Sequence, residues 1–225
     1  MSENFVTVTA ANCPAENRSA ALEQMARVAK DAKSAGASRV TYGATLSGLN
    51  PGALVFIQFF DSLSGFENVM GAFANSSAYA GILNLGVEVY LRNIAKLSDV
   101  AYTPKLDPRP NYLVMTKGKS STANAELTAM MQDCTGVFAQ NGAQTFRFGQ
   151  ILTGDNPGQY LLGITYPSMD AIQNAYDALP SNPAVQKVYS QLMLICARLF
   201  KFTEWPEKLI LKIRSRAIFT LAFDS

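Results

Sequence analysis

Five polar side chains stand in stretches that are otherwise apolar, and chemistry would start from them: Gln58, Tyr90, Arg92, Arg147 and Arg198. A guanidinium stays charged at any working pH and grips a carboxylate through two parallel hydrogen bonds. The arginines therefore suit an anionic or carbonyl-bearing ligand, or equally a structural pairing with an acid such as Glu88. Alternation along a strand places Gln58 with Phe56 and Phe60. A buried amide there needs a ligand or a protein partner, because leaving it bare costs on the order of 1–3 kcal/mol. Tyr42, Tyr90, Tyr160 and Tyr166 carry phenols that donate a proton or stack on a ring, although aromatic residues in strands mostly pack in cores.

What is missing narrows the chemistry further. The 225 residues include no histidine, which removes Ser-His-Asp and Cys-His hydrolases, histidine zinc sites and His-ligated haem. Cys13, Cys134 and Cys196 are odd in number and lack close CxxC spacing, so they read as reduced, partly buried small residues. The carboxylates show no paired spacing, and neither GxGxxG nor GxxxxGK[ST] occurs. No metal and no cofactor is expected, and acid–base work would fall to Tyr, Asp or Glu. A net charge of +2 without a basic stretch through the body argues against nucleic acid as a partner. Met1 to Asn4 has no basic start and no apolar run follows, so no secretory signal is expected. The apolar runs Ala53 to Phe60 and Leu192 to Phe200 are too short to span a bilayer, which leaves the cytoplasm as the default location.

The elements that must position these residues come from an internal repeat. Residues 36–52 align with residues 142–158 at a constant offset of 106. Identities fall at Gly36, Ala37, Gly43, Leu46, Gly48, Asn50, Pro51 and Gly52, eight in seventeen, where chance gives about one. The chain is a tandem duplication. The same offset takes Arg92 onto Arg198, Gln58 onto Ile164, Tyr90 onto Cys196 and Thr41 onto Arg147.

Each half reads β-α-β-β-α-β. Phe5 to Ala10 and Tyr112 to Thr116 are strands, and the following helices carry apolar residues at helical spacing and stop at Gly36 and Gly142. The shared Asn-Pro-Gly makes a tight turn between two strands. Ser64-Gly65-Phe66-Glu67 reads as a capping box for a second helix, whose counterpart starts near Ser168, and Asn182-Pro183 opens an extra short helix. Last strands cover Glu88 to Ile94, with Glu88, Tyr90 and Arg92 on one face, and Leu192 to Phe202. The divisions are residues 1–101 for the first repeat, a proline-rich linker over 102–110, the second repeat over 111–205, and a basic and apolar extension over 206–225.

This order is the split-βαβ unit, an antiparallel sheet with both helices on one face. The fold class is therefore α+β, with two tandem ferredoxin-like repeats whose antiparallel sheets face each other as a fused dimeric α/β barrel. Phe56, Phe60, Tyr90 and Tyr160 are the residues expected on the facing surfaces.

On this repeat, topology and Gly-strand-turn-strand pattern, the chain over about residues 5 to 204 resembles the dimeric α/β-barrel superfamily, which includes antibiotic-biosynthesis monooxygenase and NIPSNAP-like proteins. The resemblance implies a small organic ligand held between sheet and helices or inside the barrel, with oxidation or isomerisation of it in some members. Haem-degrading and chlorite-dismutating branches depend on a histidine that is absent here. Two readings follow: a small-molecule-binding barrel, with cofactor-independent monooxygenase or isomerase chemistry, or a non-catalytic oligomerisation module with a packed barrel. A working site needs a cavity of several hundred Å³ near Tyr90 and Arg92 or near Arg198. The alternation of large apolar and basic residues from Lys208 to Phe223 suits an arm that pairs with a sheet edge or with a second copy in a homo-oligomer.

Overall fold

β-branched and aromatic runs make the strands, and the apolar stripes between them make the helices that cover the sheet. The structure is a computed structural model and describes residues 3–48 and 50–204. The first repeat comprises β1 (Phe5–Asn12), α1 (Arg18–Ala35), β2 (Arg39–Ser47), β3 (Leu54–Phe60), α2 (Leu63–Phe73), α3 (Ser77–Asn84) and β4 (Glu88–Leu97). The second comprises β5 (Tyr112–Lys119), α4 (Asn124–Gln140), β6 (Thr145–Thr153), β7 (Tyr160–Tyr166), α5 (Met169–Ala178), α6 (Pro183–Gln191) and β8 (Met193–Glu204). The eight strands form one closed antiparallel barrel in the order β1-β3-β2-β8-β5-β7-β6-β4. Two four-stranded sheets thus face each other across a lumen and join at both edges, β2 to β8 and β4 to β6, which leaves no strand edge open. No helix among the described residues is long and apolar enough to cross a membrane. The extension over 206–225 lies outside the described residues.

Local signals in the sequence account for most boundaries. Gly36 and Gly142 close α1 and α4 at positive φ, +131° and +88°. In both hairpin turns the glycine after proline, Gly52 and Gly158, has φ +86°, as a type II turn requires. Ser168 caps α5 by accepting from the Ala171 amide, and Asn182 caps α6 by accepting from Ala184 and Val185. The expected capping box does not form. α2 starts at Leu63 with Ser62 before it, so Ser64 and Glu67 fall inside the helix. The earlier start lays Gly65 against Gly36, where an added Cβ would stand 3.3 Å from the Gly65 backbone. α3, the counterpart of α6, adds to the expected elements; Ser76 caps it by accepting from the Tyr79 amide.

Two further repeat identities are explained at the seams. Gly43 and Gly149 lie where the repeats pair, opposite Phe202 and Leu97. A methyl at Gly43 would run into the Lys201 carbonyl oxygen, and one at Gly149 into that of Lys96. Close backbone approach, not an unusual φ, demands glycine here.

Three apolar cores result. One lies between α1–α3 and their sheet, one between α4–α6 and theirs, and the third fills the lumen with Val6, Val8, Val55, Ile57, Phe59, Leu113, Ile151 and Phe200. Phe56 and Phe60 pack under the helices of the first repeat and Tyr160 under those of the second, not in the lumen as expected. Every residue of β3 is buried, so its two faces are equally apolar and period-two alternation could not tell inner from outer.

Candidate functional site

The strand registers decide where each candidate side chain goes. Thr41 pairs Ile57 and Arg147 pairs Gly163, so the offset of 106 holds through both hairpins. Thr7 lies opposite Gln58 and Val114 opposite Ile164, which makes the offset 107 in the first strand. Arg92 then pairs Thr9 while Ala197 pairs Thr116, so the offset is 105 in the last strand. The counterpart of Arg92 is Ala197, and that of Arg198 is Asn93. Because a one-residue slip turns a side chain to the other face, Arg92 points toward the helices and Arg198 into the barrel. The expected equivalence of the two arginines is therefore corrected. Both last strands bulge at the same point: Ala10 pairs Leu91 and Ala11 pairs Val89, leaving Tyr90 unpaired, as Lys117 pairs Cys196 and Gly118 pairs Leu194, leaving Ile195 unpaired. Tyr90 is 39% exposed and lines none of the cavities described below.

In the first repeat, Gln58, Thr9 and Arg92 meet in a cavity of about 50 Å³ between the sheet and the helices, otherwise walled by Met25, Phe56, Phe73 and Ile82. Arg92 donates from Nε to Thr9 Oγ1 at 3.2 Å and from Nη1 to Met70 Sδ at 3.2 Å. Gln58 is 1% exposed, and its Nε2 has no partner among the described residues. Thr7 Oγ1, on the facing strand, is equally bare.

The equivalent space in the second repeat is a cavity of about 200 Å³. Leu162, Ile164 and Val188 are among its apolar walls, and Thr116, Cys134, Tyr176 and Tyr189 bring polar atoms to it. Burial pushes both phenols up, and pushes the Cys134 thiol up to about 11 with help from Asp133. At neutral pH these groups are protonated: hydrogen-bond donors rather than nucleophiles or bases. Tyr176 and Tyr189 are each about two-fifths exposed, as are Leu194 and Ile195 beside them, so the mouth is open and apolar.

The lumen itself is nearly full, with residual spaces of about 50 and 40 Å³. Near one end, the buried Arg39 donates to Glu3 from Nε at 2.9 Å and from Nη2 at 2.7 Å, and its guanidinium carbon lies 3.7 Å from the Phe59 ring centre. Arg147 reaches the same carboxylate at 3.6 Å. Burial lowers the Arg39 pKa and Glu3 opposes that shift. Sequence reasoning singled out Arg147 but missed Arg39 and Glu3. A signal was present, since Arg39 and Thr41 alternate with Val40 and Tyr42 as Thr145 and Arg147 alternate with Phe146 and Phe148. The opposite space in the lumen is lined by Arg198, Lys117 and Asn93; Lys117 pairs Asp155 at 3.2 Å, and the Asp155 amide donates to Asn93 Oδ1. Tyr42 and Tyr166 belong to the helix-side cores.

Known proteins of the same shape span nearly the whole chain. A protein from Lactobacillus acidophilus NCFM provisionally named a monooxygenase superposes with a TM-score of 0.60 at 14% identity, covering 90% of this chain and 94% of its own. An anthrone oxidase-like protein gives 0.58 at 13% identity over 90% and 92%. A heme-binding protein from Thermus thermophilus gives 0.56 at 10% identity over 91% and 92%. The chain shares its fold with these proteins. No curated protein matches the chain. The sequence model of a family described only as a domain of unknown function matches residues 3–97 and again 110–198, one stretch per repeat. Haem does not suit the larger cavity: at about 200 Å³ it is far smaller than the macrocycle, its phenols and thiol are held protonated, and among the described residues no cation lines it to meet the acidic edge.

Proposed function

Because this chain belongs to the DUF6854 family of domains of unknown function, the cavities must carry the reading, and we propose that the second repeat binds one small, largely apolar organic molecule between its sheet and helices. The cavity of about 200 Å³ is the single observation that supports it. An apolar cavity of roughly 150 Å³ accepts benzene, so this one suits a substituted single ring. Thr116, Tyr176 and Tyr189 supply protonated hydroxyls, which orient a carbonyl or phenolic oxygen of the guest. Among the described residues no carboxylate lines the cavity to serve as a base. Any oxygenase or isomerase step would therefore rest on hydrogen-bond stabilisation of negative charge on the guest's oxygen by these hydroxyls.

Native mass spectrometry of the full chain purified from its source tests the reading. A retained mass of small-molecule size is expected, and Val188→Phe, which fills the cavity, should release it while the protein stays folded. An apo mass from the source, or a guest that survives Val188→Phe in a folded protein, would overturn it. Incubating the loaded protein in air and following the guest's mass then separates a binder from a cofactor-independent oxygenase.

A further inference from the structure

The cavity of the first repeat is smaller but chemically different, and one of its buried polar groups is unsatisfied. Gln58 is almost fully buried, lines the cavity and leaves Nε2 without a partner among the described residues. A bare buried amide costs on the order of 1–3 kcal/mol, so the position carries a penalty that no partner among the described residues relieves. Arg92 lines the same cavity with its Nε on a threonine hydroxyl and its Nη1 on a thioether, a weak acceptor. No acid among the described residues pairs with it.

The second repeat supplies an internal control. There the counterparts of Gln58 and Arg92 are Ile164 and Ala197, while Thr9 is matched by Thr116. Identical architecture folds without the amide and without the cation, so the fold does not require them. A bare amide donor beside a cation that no acid among the described residues pairs with, in a cavity lined by no described carboxylate, calls for an anion with a short apolar body.

We propose that the first repeat is a second, separate ligand site that takes a small aliphatic carboxylate, its oxygens on Arg92 and Gln58 Nε2 and its carbons against Met25, Phe56, Phe73 and Ile82. A guanidinium matches a carboxylate in charge and in fork geometry. At about 50 Å³ the cavity admits only a short chain, since one water needs about 10–15 Å³ of such volume. This inference does not depend on the reading of the second repeat.

Sodium butyrate titrated into the full chain, with sodium chloride at matched ionic strength as control, tests it. Calorimetry and melting temperature should show saturable one-site binding of butyrate and none of chloride, with butyramide, which lacks the charge, at least tenfold weaker. Arg92→Met and Gln58→Leu should each weaken butyrate at least tenfold, whereas Val188→Phe in the other repeat should leave it unchanged. Gln58→Leu removes a buried bare amide and is expected to fold at least as well as the parent, so the test survives even if the arginine variant does not fold. Butyrate acting no differently from chloride, binding retained in Gln58→Leu, or binding lost in Val188→Phe would each overturn the proposal.

Discussion

The two repeats share a topology, a hairpin and a turn, yet the spaces under their helices differ fourfold in volume and oppositely in chemistry. In the first, Gln58 and Arg92 crowd a cavity of about 50 Å³; in the second, Ile164 and Ala197 stand in their places and the space widens to about 200 Å³. Duplication preserved what closes the barrel and released what lines the cavities. The seams show the first half of that statement, because Gly43 and Gly149 are identical and serve the same close backbone approach at β2–β8 and β4–β6. The hairpins show the second, because Arg39 and Thr41 of one repeat correspond to Thr145 and Arg147 of the other, with the charge moved by one position along the face.

If the seams are what the repeats must keep, breaking one should have the largest effect. Gly149→Ala or Gly43→Ala drives a methyl into the partner strand's carbonyl, and either should cost about 3 kcal/mol or prevent folding, by analogy with overpacked cores. Urea unfolding checks this, and an unchanged midpoint would show that the two halves are held by their cores alone. Next in size is the contrast between the two arginines on Glu3. Arg39→Ala strands a half-buried carboxylate and should cost about 3 kcal/mol, whereas Arg147→Ala, at 30% exposure and 3.6 Å from the same oxygen, should cost under about 1 kcal/mol. Equal losses would mean that the carboxylate is shared evenly between repeats.

A comparably small effect is the pH dependence that Cys134 brings to the second repeat. The Cys134 thiol is raised from 9.0 to about 11 in the folded chain, so the protonated thiol is favoured by folding. Its contribution is complete below pH 9 and is lost as pH rises through 11. By pH 10 the loss should be about 1 kcal/mol. Melting curves of the parent and Cys134→Ala at pH 8 and pH 10 measure it: the parent should lose more stability than the variant over this interval, and parallel losses would remove the thiol from the account.

Periodicity and punctuation made the architecture legible, while the candidate site was legible only in part. Gln58 and Arg92 stand out separately as polar residues in apolar strands, and folding brings them to one cavity. Tyr90 is drawn in with them by alternation, but it is the bulged residue, and a bulge is invisible to a pattern of period two. Arg198 is matched to Arg92 by an offset that holds in the hairpins and slips by one in the last strand. Arg39 goes unmarked because its significance depends on Glu3, which is distant in sequence and meets it only in the fold.

The order of residues alone determined the duplication, the β-α-β-β-α-β plan, the turns and most helix ends, because these depend on interactions within a few residues of the chain. Which strand face meets the lumen, where the registers slip, and how much room lies under each helical layer were decided by the tertiary structure. Those outcomes arise where two buried faces are equally apolar, so only the competition between packings in three dimensions can choose between them.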